Sequence, residues 1–196
     1  MQEQPKIIIL GNGPINTDLT EQVNHCPRVV RFNHCAAMPD YLGQRCTDLW
    51  LVGRGRQALS LLNTPQMSLE GLSQVMITDP TPNSVAQCFF KLIQRKGKVD
   101  FGEALISAYA QKCQVERLTA QFRQSLLNEL LALGSPIHRP RCVSSGTLAI
   151  AYFLVRFKYV HIAGFGFQGW KRHPWNLEKQ FVEQLVAEKR VILLDS

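Results

Sequence analysis

The stretch Lys6-Ile7-Ile8-Ile9-Leu10-Gly11-Asn12-Gly13-Pro14 decides the fold. Its apolar run is continuous rather than alternating, which suits a strand buried on both faces, as at the centre of a parallel sheet. The glycines and the proline end that strand in a tight turn, where the backbone can come close to a ligand. Asn12 adds an amide able to read a nucleotide's hydroxyls or base edge. The run is not the dinucleotide fingerprint G-x-G-x-x-G, because Asn16 stands at its third glycine. Taken alone, the segment also reads as an ordinary β-turn.

Outward from this strand, similar short apolar and β-branched runs recur at Arg28–Phe32, Asp48–Val52, Gln74–Thr78, Tyr159–Ala163 and Arg190–Leu194. Each is followed by Gly, Asn or Asp. Helical patterns lie between them at Asn16–Val23, Gln57–Leu62, Ser84–Arg95, Val115–Leu133, Thr147–Phe157 and Leu177–Glu188. In the fourth, Leu118, Phe122, Leu126 and Leu130 form a stripe. The segment Lys96–Gln114 fits neither pattern and reads as an irregular insertion near the site. Alternation of this kind predicts an α/β fold with a mostly parallel sheet flanked by helices. Loops after the strands then share one edge of the sheet, where ligands bind. Residues 1–196 read as one domain, with no repeat or low-complexity linker dividing them.

Composition narrows the partners. Hydrophobic residues make up 45% and charged residues 19% of 196 residues, enough for a sizeable core and unlike a disordered chain. No apolar run reaches the length of a membrane span, and the start MQEQPKIIIL lacks the pattern of a signal peptide. The expected compartment is the cytoplasm. Six cysteines at 26, 35, 46, 88, 113 and 142 have no C-x-x-C spacing, which argues for free thiols rather than a zinc site. A net charge of +7 favours anionic partners, including a peripheral membrane contact through a basic surface. The basic groups His138-Arg139-Pro140-Arg141 and Lys171-Arg172-His173 are not nucleic-acid motifs, and no nucleic acid is expected.

Three further segments carry chemistry. Arg31-Phe32-Asn33 puts a polar residue at a strand's carboxyl end. Val143-Ser144-Ser145-Gly146-Thr147 precedes an apolar helix, and free amides and hydroxyls at a helix start suit phosphate or carboxylate; helix capping is the competing account. His161 through Phe167, a strand ending in Gly164-Phe165-Gly166, leads into Gln168-Gly169-Trp170-Lys171-Arg172-His173. Imidazole titrates near neutrality, so His173 is the natural general base for a hydroxyl nucleophile; a surface-loop histidine is the alternative.

In this order, the segments resemble the sialyltransferases, both the animal family with its long, small and very small sialyl motifs and a bacterial family. The long motif's strand, Gly-Asn, Arg-x-Asn and Gly-x-Lys/Arg are matched by Gly11-Asn12, Arg31-Phe32-Asn33 and Gly43-Gln44-Arg45, and the bacterial Gly-Asn-Gly-Pro by Gly11 through Pro14. The small motif resembles Ser144-Ser145-Gly146 through Gly164-Phe165-Gly166. The very small motif, His-x4-Glu, is similar to His173 with Glu178. The resemblance covers residues 7–53 and 143–194. Its departures are a shortened stretch at 168–172, no asparagine within Leu51-Val52-Gly53, and Ile7 and Phe157 in place of the half-cystines that join the animal motifs.

The resemblance implies a Rossmann-like, GT-A-like variant and a metal-independent, inverting transferase. Such an enzyme moves sialic acid, or a related sugar acid, from a CMP-activated donor to a glycan acceptor and needs no cofactor. It assigns the CMP donor to Asn12, Gly13, Asn33, Ser144, Ser145, Gly146, Gly164, Phe165 and Gly166. His173 is the base, and Trp170, Lys171 or Arg172 would stabilise the departing phosphate. Glu178 either orients the histidine or simply sits on the helix. Two rivals stand beside this reading: a CMP-Kdo-type transferase, and a catalytically silent nucleotide-binding relative that has lost its lid.

Overall fold

The computed structural model describes residues 4–35, 39–140 and 142–194, so Arg141 of the first basic group lies outside the described residues. The strands are β1 (Ile8–Leu10), β2 (Val29–Phe32), β3 (Asp48–Leu51), β4 (Gln74–Ile77), β5 (Gln114–Arg117), β6 (Val160–Ala163) and β7 (Val191–Leu193). The helices are α1 (Thr20–His25), α2 (Gly55–Asn63), α3 (Ser84–Leu92), α4 (Gly102–Tyr109), α5 (Ala120–Ala132), α6 (Ser145–Leu154) and α7 (Trp175–Ala187). The seven strands of the described residues are all parallel, in the order β5-β4-β3-β2-β1-β6-β7.

Two-residue periodicity along the buried strands divides the core between the two faces of the sheet. Ile7, Ile9, Val30, Phe32, Trp50 and Met76 point to one side, where they pack with Leu126, Leu130, Phe153, Leu177 and Phe181. Those partners come from α5, α6 and α7. On the other side Ile8, Leu10 and Val29 meet Leu19 and Val23 near α1, and Leu49, Leu51, Val75 and Ile77 meet Ala58, Leu61, Leu105 and Tyr109 of α2 and α4. Ile7 and Phe157, where a disulfide would stand, both belong to the first cluster. All six cysteines are unpaired. No helix of the described residues is long and apolar enough to cross a membrane.

The chain lays down β1 to β5 outward in one direction, then returns through α5 and α6 to place β6 on the opposite side of β1. That reversal opens a crevice at the carboxyl ends of β1 and β6. The loops there are joined backbone to backbone: Gly11 N–H donates to Ala163 O at 2.8 Å and Gly13 N–H to Gly164 O at 3.0 Å. A Cβ at Gly11 or Gly13 would collide with the Gly164 carbonyl. These glycines therefore first serve a close approach within the chain.

Two expectations fail in the middle of the sequence. Val115–Leu133 is not one helix: Gln114–Arg117 is the edge strand β5. Thr119 then caps α5 by accepting from Phe122 N–H at 3.1 Å, as threonine does at helix starts. The apolar stripe misled because Leu118, just before that cap, is buried in the same cluster as Leu126 and Leu130. Lys96–Gln114 is not irregular throughout, since it holds a short 3-10 turn and α4.

His161 on β6 is 7% exposed, and its Nδ1 has no hydrogen-bond partner. Burial disfavours the charged ring and holds its pKa below the ordinary value. The neutral ring is therefore the folded form, while the unfolded chain takes up a proton more readily. Stability from this residue is complete above the unfolded-state pKa and declines as pH falls through it toward the depressed folded value. Denaturant midpoints measured between neutral and mildly acidic pH should fall on acidification. His161→Leu should flatten that part of the profile; an unchanged slope would show that other groups set it.

Candidate functional site

At the carboxyl edge of the sheet two cavities meet. The first, about 670 Å³, is lined by Gly11 through Pro14 after β1, Asn33 after β2, Ser144 through Gly146 at the start of α6, and Gly164 through Trp170 after β6. The second, about 690 Å³, runs toward β4 and is lined by Arg54, Asp79, Gln87, Phe90, Lys98, Arg123 and Cys142. Val52, Gln57, Ser145, Trp170 and His173 line both. Residues expected from segments far apart in the chain thus share one space, with His173 at the junction.

His173 is half-buried between Trp170 and Trp175, with ring centroids 5.1 and 4.9 Å away in edge-on geometry. Trp175 Nε1–H donates to Trp170 O at 3.0 Å, and His173 N–H donates to the same carbonyl at 3.1 Å. The imidazole Nδ1 lies 2.8 Å from Cys142 O. A carbonyl only accepts, so Nδ1 carries the proton and the neutral ring presents a basic lone pair on Nε2. Among the described residues Nε2 has no hydrogen-bond partner. Cys142 Sγ is 3.9 Å from Nδ1, but burial pushes its thiol pKa up. A thiolate nucleophile therefore has no support here.

The start of α6 divides the roles of its serines. Ser144 is the cap: its Oγ accepts from Thr147 N–H at 3.3 Å. The capping account thus holds for Ser144. Its own N–H and Oγ–H donate to Glu178, the amide at 2.9 Å, and Thr147 Oγ1–H donates to the same carboxylate at 2.6 Å. Glu178 is fully buried. It neither orients His173 nor simply sits on α7: it clamps the start of α7 to the start of α6, with its charge facing the positive end of the α6 dipole. The amides of Ser145 and Gly146 have no acceptor among the described residues. Gly146 lies under the Phe165 ring, which a Cβ there would strike at 2.7 Å.

Other family-motif residues also hold the scaffold. Arg31, 3% exposed, donates to the carbonyls of Leu42 at 2.7 Å, Gly43 at 2.9 Å and Arg45 at 3.0 Å. Asn33 sits at φ 55°, and its Oδ1 accepts from Val52 N–H at 3.0 Å. This ties the β2 loop to β3, leaving the side-chain NH2 for the cavity. Asn12 is exposed on the cavity wall.

The expected phosphate group is only partly assembled. Trp170 lines the junction, but Lys171 and Arg172 are exposed and line neither cavity. Arg172 instead donates to Arg139 O at 3.3 Å. The short 168–172 loop turns these side chains outward. Sequence reading missed the arginines that do face the second cavity. Arg54 is tied to Asp100 at 3.4 Å and to Pro80 O at 3.0 Å, and Arg123 to Asp79 at 3.2 Å. They come from separate elements, and no local motif marks them.

The overall architecture matches solved transferases. A mammalian sialyltransferase superposes with a TM-score of 0.63 and 11% identity over 98% of this chain and 69% of that one. The Campylobacter jejuni sialyltransferase CstII in complex with cytidine-5'-monophosphate gives 0.54 and 16% over 99% of this chain and 81% of that one. CstII with a trisaccharide acceptor and CMP gives 0.56 and 16%, over 96% and 80%. The fold is that of the sialyltransferases. By sequence, the chain is 27% identical to the urease operon 23 kDa accessory protein of Rhizobium meliloti (strain 1021), over 97% of this chain and 93% of that protein. No family model matches. None of these neighbours supports the membrane contact raised by the basic composition.

The Glu178 clamp can be tested directly. Glu178→Gln replaces an acceptor of several hydrogen bonds with a group that turns an N–H2 toward donors. We expect a loss of about 3 kcal/mol, a fall of about 6–12 °C in the thermal midpoint at this chain length. His173→Ala should leave the midpoint close to wild type. Equal midpoints for Glu178→Gln and wild type would contradict the clamp.

Proposed function

We propose that the chain is a glycosyltransferase that moves sialic acid, or a closely related sugar acid, from a CMP-activated donor to a hydroxyl of a glycan. The observation that carries this reading is His173: its Nδ1 is held by the Cys142 carbonyl, and its ring stands where the two cavities join. In the proposal the first cavity takes the donor, with Asn12 and the Asn33 amide toward the cytidine and ribose. The open amides of Ser145 and Gly146 face the phosphate or the sugar carboxylate. The second cavity takes the acceptor.

Chemistry then follows from placement. The acceptor oxygen attacks the anomeric carbon as its proton passes to His173 Nε2. The bond from that carbon to the phosphate oxygen breaks, and CMP leaves with the electron pair. Attack from the side opposite the leaving group inverts the anomeric configuration. In this reading amide hydrogen bonds and the α6 dipole carry the leaving group without a metal. The wall leaves the sugar's tail unspecified, so a CMP-Kdo donor belongs to the same reading.

A second reading has its own support. The relative from Rhizobium spans nearly the whole chain and is called an accessory protein, and Lys171 and Arg172 stand outside the cavities. A nucleotide-binding protein without turnover would share both features.

Thermal shifts separate these readings from a wrong ligand class. Ligand at a hundredfold excess over its Kd stabilises by about 2.7 kcal/mol, a rise of several degrees. CMP should produce that rise, and NAD and UDP should not; the reverse pattern would remove both readings.

Turnover of CMP-sialic acid, measured as CMP release with a glycan acceptor in EDTA, then decides between enzyme and binder. His173→Ala should lower it about 10²–10⁴-fold while leaving the CMP shift intact. Release at the wild-type rate by that variant would remove His173 from the chemistry. A wild type that binds CMP but never releases it from the donor would favour the binder.

A further inference from the structure

We propose that the outward face of α3, with the basic segment that follows it, docks on an anionic membrane surface. No residue of α3 is buried. Its inner side, Gln87 and Phe90, lines the second cavity. Its outer side carries Val85, Phe89 and Leu92, with Ile93 just after the helix, and these are 76%, 55%, 81% and 45% exposed. Their spacing of three, four and seven residues puts them on one helical stripe. A contiguous apolar stripe on a helix that packs its other side is the mark of an interaction surface.

Charge selects the occupant. From Pro80 to Val99 the sequence has no acidic residue, while Lys91, Arg95, Lys96 and Lys98 are basic. Two carboxylates that line a cavity with Lys91 are bonded to arginines: Asp100, with its side chain buried, to Arg117 and Arg54, and the largely exposed Glu103 to Arg117 at 3.1 Å. A short apolar face on a segment that carries cations and no acid of its own suits the interface of a bilayer with anionic headgroups. An acidic protein groove would meet the same charges, but a nine-residue helix with exposed phenylalanine and leucine beside lysines also fits insertion at headgroup depth. Docking here would set the mouth of the second cavity beside the bilayer, because Gln87, Phe90 and Lys98 line it.

The experiment is co-sedimentation of the full chain with vesicles of phosphatidylcholine alone or mixed with phosphatidylglycerol. Binding should require phosphatidylglycerol and weaken with added salt. Lys91→Gln with Arg95→Gln should weaken it by about fivefold per charge removed. Phe89→Gln with Leu92→Gln should reduce it at least about tenfold. Val155→Gln, at a residue 78% exposed at the opposite end of the sheet, should change nothing. All these positions are at the surface, so the variants should keep the wild-type thermal midpoint. Three results would overturn the proposal: no vesicle binding by the wild type, full binding by Phe89→Gln with Leu92→Gln, or a dimer of the wild type that the same pair dissociates. The last would assign the stripe to a second copy. Vesicle binding requires neither CMP nor turnover, so its failure and the failure of the nucleotide reading are separate results.

Discussion

Where β1 and β6 end side by side, the chain is joined by main-chain hydrogen bonds rather than by side chains. Gly13 N–H reaches the Gly164 carbonyl at 3.0 Å and Gly11 N–H reaches Ala163, a separation that leaves no room for a Cβ on either glycine of the first loop. The crevice of a parallel sheet forms where strand order reverses, and here that point lies between the strand that opens the chain and one that comes about 150 residues later. Any substitution that separates these loops would displace both walls of the first cavity together. The glycines thus act on ligand geometry through the backbone they let close.

The same logic extends to the motif residues. Arg31 satisfies three loop carbonyls, Asn33 ties β2's loop to β3, and Glu178 holds the starts of α6 and α7 together. Their polar atoms are largely used up inside the protein, as buried polar groups must be. Side chains with capacity toward the cavity include Asn12, the NH2 of Asn33, Gln57, Ser145, Gln168 and His173. A pattern made mostly of scaffold residues explains how a chain can share a fold with a mammalian sialyltransferase at 11% identity.

The strands were legible because double burial leaves a continuous apolar signature. Ile7 through Leu10 have partners on both faces, as do the other inner strands. β5 was not legible, since an edge strand reading Gln-Val-Glu-Arg carries one apolar residue and runs directly into a helical stripe. The histidine, the α6 start and the Gly-rich loops could be placed from sequence because each follows a strand or opens a helix. Glu178's role was hidden, because its partners Ser144 and Thr147 lie more than thirty residues away. Arg54 and Arg123 were hidden for the same reason. Proximity across a sheet edge is set by topology, and no local spacing encodes it.

Charge at the junction brings these strands together. Arg54 and Arg123, the arginines facing the second cavity, are each compensated by a carboxylate, and the Glu178 charge lies behind the α6 start. In the proposed reaction a departing phosphate in the first cavity would therefore meet amide donors with little standing positive charge from these groups. In that proposal His173 supplies the charge in time with the reaction. Its Nδ1–H is held by the Cys142 carbonyl, which leaves Nε2 as the accepting atom in that proposal. In the proposed reaction Nε2 takes the acceptor's proton and the ring becomes an imidazolium as the phosphate gains the electron pair of the broken bond. A base that turns cationic only along the reaction path favours the transition state over the bound donor. On the proposed mechanism the residue that accepts the proton also stabilises the leaving group, which is how a site without Lys171 and Arg172 in its wall would turn over.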